Sequence, residues 1–167
     1  MNVLPYILSR LLPKTGQSTV YVAGDDGTFQ AGWWDNRLLA ANKQRFIDKG
    51  DGTIIDRATK LMWQKEPFTT TMLWAGTFYW SALQNTGGYT NWKVPNVFEL
   101  ASIIDYGRNA PSLNPIFTDA PLLRNYWTST TAIGNTIYAY RVFFTNGQVL
   151  TADKAGTFLI MRCCRRI

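Results

Sequence analysis

The chain has 167 residues, 46% apolar and 17% charged, with 17 Lys and Arg against 11 Asp and Glu for a net charge of +6. That length suits one domain with its own core, and that apolar share excludes an intrinsically disordered chain. There is no histidine, and the two cysteines are neighbours, Cys163 and Cys164, which excludes both a zinc-site spacing and a disulfide framework.

Residues 1–43 read as an arm for assembly or packing, wrapped either on its own domain or on a neighbouring subunit. Its opening, "MNVLPYILSRLLPKTGQ", is apolar but short and is broken by Pro5 and Arg10. It lacks the order of a signal peptide, and no stretch reaches the ~20 apolar residues of a spanning helix, so no membrane insertion is expected. Turn signals follow at Pro13, Gly16 and Asp25-Asp26-Gly27.

A second unit, residues 44–167, begins with "RFIDKGDGTIIDRATKLMWQK". Phe46-Ile47 and "TIID" flank Gly50-Asp51-Gly52 and predict a hairpin, with Trp63 as a core ring. Asp48, Asp51 and Asp56 do not have calcium-loop spacing and read as turn residues. "LWAGTFYWSALQNTGG" predicts a helix with Trp74, Phe78 and Ala82 in one row, Ala75, Tyr79 and Leu83 beside it, and Gly87-Gly88 as the stop. In "NWKVPNVFELASIIDYG", Asn96 and Glu99 have capping-box spacing, Val97, Leu100, Ala101 and Ile104 recur at helical period, and Gly107 fits just past the end. Beyond Pro111, "NYWTSTT", "NTIYAYRVFF", "GQVLTAD" and "FLIMRCCRRI" predict strands, with Asn146-Gly147 as a two-residue hairpin turn. Strands, two helices and an antiparallel block make an α+β domain.

These blocks, with "YWTST" and the closing "MRCCR", occur in the order seen in the Lcl C-terminal domain family, which this chain resembles from about Arg45 to Arg165. The resemblance implies a C-type-lectin-like fold, two helices packed on a twisted antiparallel sheet. Relatives of that fold include bacterial adhesins, phage receptor-binding proteins and the variable proteins of diversity-generating retroelements, whose ligand face is built from the last strands and loops. Tyr140 stands where many members carry Trp, and Lys93 where Arg is common. No Glu-Pro-Asn or Trp-Asn-Asp is present, so the calcium-dependent sugar site of true C-type lectins is not carried over.

Alternation along "NTIYAYRVFF" places Tyr138, Tyr140, Val142 and Phe144 on one face, expected to be core, and Ile137, Ala139, Arg141 and Phe143 on the other. The second set is too apolar for an open face, so it is covered by the arm, by the domain's own helices, or by a partner or ligand. Gln148, Leu150 and Ala152 extend it, with Asp153 at its end, and the loop carrying Thr131, Ile133 and Asn135 borders it. These ten residues, Thr131, Ile133, Asn135, Ile137, Arg141, Phe143, Gln148, Leu150, Ala152 and Asp153, form the candidate ligand-binding site. Arg162 and Arg165 match the family's closing arginines and are expected to hold loops or carboxylates inside the scaffold.

Scattered cations without a nucleic-acid motif read as a solvated basic surface, and no nucleic-acid partner is expected. Neither cysteine has a histidine to activate it, and no pair among Glu66, Glu99 and Asp105 has convincing acid–base spacing, so no enzyme activity, metal or cofactor is expected. The reading is a recognition module on a phage particle or bacterial surface, binding a cell-surface protein or glycan. The alternative is a virion subunit that assembles with other subunits or with itself through its arm and apolar face.

Overall fold

A computed structural model describes residues 12–30, 32, 44–120 and 124–167. Expectations for the apolar opening and for much of the arm fall outside that set. Along the chain come α1 (Asp26–Phe29), β1 (Phe46–Asp48), β2 (Thr53–Asp56), β3 (Leu61–Gln64), β4 (Phe68–Met72) and α2 (Trp74–Ala82). A 3-10 turn (Thr86–Gly88) and α3 (Val97–Ala101) follow, then β5 (Asn125–Thr131), β6 (Tyr138–Phe143), β7 (Gln148–Asp153), β8 (Leu159–Met161) and β9 (Cys164–Arg166). Two sheets result, ordered β1-β2-β3-β9 and β4-β8-β5-β6-β7. The fold is α+β, consistent with the C-type-lectin-like architecture.

The opening hairpin forms as its turn chemistry dictates. Asp48 Oδ1 accepts from Gly50 N at 2.8 Å and Asp51 Oδ1 from Thr53 N at 3.0 Å, while Gly50 and Gly52 take φ of 75° and 84°. Asp56 is buried, and it receives Arg45 Nε and Nη2 at 2.9 and 2.7 Å, which ties the entry of the domain to the end of β2. All three aspartates are thus engaged in turns or ion pairing. Trp63 is fully buried in the main core with Ile54, Leu100, Ile103, Tyr126, Val142 and Phe144. Burying each such aliphatic or phenyl group contributes about 1.5–3 kcal/mol.

The helices differ from expectation in instructive ways. α3 has its full capping box, Glu99 N donating to Asn96 Oδ1 and Asn96 N to Glu99 Oε2, both at 2.8 Å. It stops at Ala101, well before Gly107, and Ile103 and Ile104 reach the core from irregular backbone. α2 spans the predicted residues but turns Thr77 and Ser81 inward, leaving Phe78, Tyr79, Trp80 and Leu83 exposed. The hydroxyls are tolerated inside because they donate to the helix's own carbonyls, Thr77 to Trp74 O at 2.6 Å and Ser81 to Phe78 O at 3.0 Å.

Three strand expectations need correction. "FLIMRCCRRI" is two strands in different sheets, because the chain switches at Arg162-Cys163: buried Arg162 donates to the carbonyls of Gln64, Lys65 and Thr118, and Cys163 N to Gln64 Oε1. The late block is not wholly antiparallel, since β8 runs parallel to β5 with Ile160 opposite Tyr126. The β6–β7 connection is a four-residue turn, residues 144–147, because Phe144 is drawn into the core and only Gly147, at φ 75°, turns back. Among the described residues no helix is long and apolar enough to cross a membrane.

The described part of the arm touches the domain at Thr15 and Gly16. Tyr106 N donates to Thr15 O at 2.7 Å, and Gly16 lies so close to Asp105 and Gly107 that a Cβ there would collide with the Asp105 carboxylate. Asp25-Asp26-Gly27, expected as a turn, opens the single-turn helix α1, capped by Asp25.

Candidate recognition face on the late strands

Strand register decides which side chains share a face, because residues directly opposite project together. Asn125, Phe143 and Gln148 lie in one row, Trp127, Arg141 and Leu150 in the next, and Ala139 lies opposite Ala152 and Thr131. The sheet therefore assembles Ala139, Arg141, Phe143, Gln148, Leu150 and Ala152 on one side, as alternation predicted. The opposite side carries Tyr126, Tyr138, Tyr140, Val142 and Val149.

Burial does not follow this division along the whole strand. Val142 is core, and Phe144, just past the end of β6, is core too. Tyr138 is exposed and Tyr140 half-buried, so the expectation that all four are core fails at the far end. Conversely, Ala139 and Ala152 are buried beneath Trp127, Leu159 and Trp74. Trp74 is held there by its indole N–H donating to Thr128 O at 2.7 Å and by Lys154 Nζ, 4.0 Å from its ring centroid. The bulge between Trp127 and Thr131 marks where the exchange occurs. Each face of the sheet is core at one end and open at the other. The chain's own helix α2 thus seals the Ala139–Ala152 end of the candidate face and leaves the end bearing Arg141, Phe143 and Gln148 unsealed.

On that unsealed end Arg141 is the charged centre. Its Nη1 donates to Asn125 Oδ1, and its Nε reaches only a marginal 3.5 Å from Thr151 O. Burial pulls its pKa below the ordinary arginine value, and among the described residues no carboxylate pairs with it. Half-buried Phe143 and Leu150 flank it, and Gln148 is exposed. A guanidinium partly removed from water without a counter-charge is costly in isolation, and an anionic or carbonyl group arriving from outside relieves that cost.

The remaining candidates sit at the other end of the strands. Ile133 is 88% and Ile137 59% exposed, on a loop shaped by Asn135 Oδ1 accepting from Ile137 N at 3.1 Å. Thr131 accepts from Lys154 Nζ at 2.7 Å, and Asp153 Oδ1 accepts from Ala155 N and Gly156 N, so both serve the loop architecture. Ala152 is removed from any contact surface by its burial. Asn125 was missed, although the same period-two count along "NYWTSTT" places it on this face; Trp127 shares that side but is fully buried. The clefts of about 480, 390 and 240 Å³ elsewhere are lined by none of these residues.

The closing segment behaves as scaffold. Arg162 is fully buried against carbonyls and the rings of Phe117 and Tyr126, and Arg165 lies over Tyr89. Cys163 and Cys164 are buried free thiols, both pushed up to about 12 by desolvation.

A comparison with curated proteins finds no match. The family model described as the Lcl C-terminal domain matches residues 52–165, which lies within the span of the sequence resemblance and covers most of the chain. The chain belongs to the Lcl C-terminal domain family.

Proposed function

We propose that this chain is a non-catalytic recognition module, displayed on a phage particle or bacterial surface, that binds a cell-surface receptor through the Arg141 end of β5–β7. Membership of the Lcl C-terminal domain family suggests a receptor-binding or adhesin-like module. The observation that carries the placement is Arg141 itself, half-buried between Phe143 and Leu150 with an amide for a neighbour and no carboxylate partner among the described residues. The ligand group that fits is an anion flanked by apolar surface, as on a protein or a uronic-acid-bearing glycan. Labelled full-length protein is tested for binding to intact bacterial cells, with Arg141→Ala, Phe143→Ala, Leu150→Ala and Ile137→Ala compared. The first two are expected to weaken binding by tenfold or more, and the reading is abandoned if all four bind like the parent.

A second reading rests on a different observation. The arm is anchored at Thr15–Gly16 yet exposes Val20, Tyr21, Val22 and Phe29. Such a strip suits a neighbouring subunit, as in a virion component that assembles through its arm. Solution mass of the full chain and of Tyr21→Asp and Phe29→Asp variants tests it; an unchanged monomer throughout removes it.

A further inference from the structure

We propose a second binding site, separate from the β5–β7 face, in which the outward side of α2 and the start of β4 take the apolar face of a neutral saccharide. Beyond Trp74, which packs on the sheet, α2 exposes Phe78, Tyr79 and Trp80 and buries Thr77 and Ser81, the reverse of an ordinary packed helix. The exposed rings are organised. Trp80 lies on Phe68 with centroids 5.6 Å apart and planes 27° apart, which supports it from behind as a flat floor. Tyr79 stands at 80° to it, 5.5 Å away, and makes a wall. Trp80 remains 42% and Tyr79 64% exposed.

The polar groups around this corner select the ligand chemistry. Neither the Tyr79 hydroxyl nor the Trp80 indole N–H has a hydrogen-bond partner among the described residues, so both are free to bond a ligand hydroxyl. The strand carrying Phe68 continues with Thr69, Thr70 and Thr71, all exposed. Phe68 also lines a groove of about 240 Å³ with Lys65, Glu66, Gln84 and Thr86, and Lys65 is already paired with Asp48 at 2.6 Å. From Pro67 to Trp92 the chain carries no charged residue, although its net charge is +6. The carboxylate beside the corner, Glu66, is exposed and has no ion-pair partner among the described residues, so it repels an anionic ligand and accepts from a hydroxyl. A flat ring with an electron-rich face attracts the polarised C–H face of a sugar ring, and the surrounding hydroxyls and amides satisfy its alcohols.

The test uses the full chain on an array of immobilised neutral oligosaccharides with hexose, N-acetylhexosamine and deoxyhexose termini, alongside sulfated and uronic-acid glycans. Neutral glycans are expected to bind, and titration of a binding glycan followed by tryptophan fluorescence should show Tyr79→Ala and Trp80→Ala each weakening it about tenfold or more. Trp80→Phe should retain most of the affinity, and Arg141→Ala should leave it unchanged, which separates this site from the β5–β7 face. Tyr79→Ala removes a mostly exposed ring, so it keeps the test valid if Trp80→Ala fails to fold. The proposal is overturned by an array on which only anionic glycans bind, or none. It is equally overturned if neutral-glycan binding survives Tyr79→Ala and Trp80→Ala, or if the only effect of Trp80→Ala is to dissociate an oligomer.

Discussion

Removal of one partner from the Arg45–Asp56 pair should be the most damaging single change in the opening hairpin. Both side chains are sealed from solvent, at 1% and 0% exposure, and the carboxylate binds Nε and Nη2 in parallel at 2.9 and 2.7 Å. Asp56 also accepts from Ala58 N at 3.0 Å and Thr59 Oγ1 at 2.8 Å, while Arg45 Nη2 also donates to Ser102 O at 2.9 Å. Asp56→Ala strands a buried guanidinium, which costs about 3–5 kcal/mol, a large share of the 5–15 kcal/mol typical of a domain of this kind. With a urea slope of about 2 kcal/mol/M, a loss of 4 kcal/mol lowers the midpoint by about 2 M. The double variant Arg45→Met/Asp56→Leu removes both charges, keeps the volume apolar and loses the two turn bonds and the bond to Ser102 O, worth about 1 kcal/mol each. It should therefore be more stable than Asp56→Ala by about 1 kcal/mol, and a double-mutant cycle of urea melts that includes Arg45→Met reads the coupling of the pair. An Asp56→Ala loss below about 1 kcal/mol, or a double variant no better than the single, would refute the claim that the pair is buried and mutually required.

Further outcomes follow from other local features. Both thiols have folded pKa values near 12 against an ordinary 9.0, so the unfolded chain releases their protons first; stability is intact below pH 9 and falls toward pH 12 by up to about 1.4 kcal/mol per pH unit per thiol. Cys163→Ala should reduce that decline relative to the parent in urea melts at pH 8 and 10.5, and equal declines would show that the thiol is not desolvated. Asn96→Ala breaks the capping box of α3 and should cost about 1 kcal/mol in thermal melts, with a change below 0.3 kcal/mol counting against the cap. Gly147→Ala places a Cβ 2.9 Å from Ile104 Cγ2 at a φ of 75° and should destabilise by about 1–2 kcal/mol; a neutral result would mean the β6–β7 turn is not shaped as described.

Much of the scaffold was legible because its signals were local. The Asp51-Gly52 turn, the Asn96–Glu99 box and the period-two runs of β5, β6 and β7 each depend on neighbouring residues, and each appears where the pattern put it. What escaped depends on distant partners. Thr69, Thr70 and Thr71 show no alternation, so β4 was invisible until β8 supplied its pairing. Arg162 breaks the terminal strand because its guanidinium is needed by carbonyls of Gln64, Lys65 and Thr118, far away in sequence. On the candidate face, alternation correctly grouped Arg141, Phe143 and Leu150, but a bulge in β5 and the tryptophan at the start of α2 decide which end is sealed. No count along β6 alone contains that information. The inverted orientation of α2 escaped for a related reason: apolar rows at helical spacing usually point inward, and here two hydroxyls satisfied by their own helix took that place.

The account rests on the open end of the β5–β7 face meeting a receptor, and site-directed photo-crosslinking tests this most directly. A benzophenone side chain is placed at Phe143 in one preparation of the full chain and at Phe98, an exposed phenylalanine on α3, in another. Each is irradiated on intact bacterial cells to which the parent protein adheres. The account predicts a covalent adduct with a cell-surface component from position 143, abolished when Arg141→Ala is added, and none from position 98. Adducts from position 98 alone, or equal yields from both positions, would contradict it.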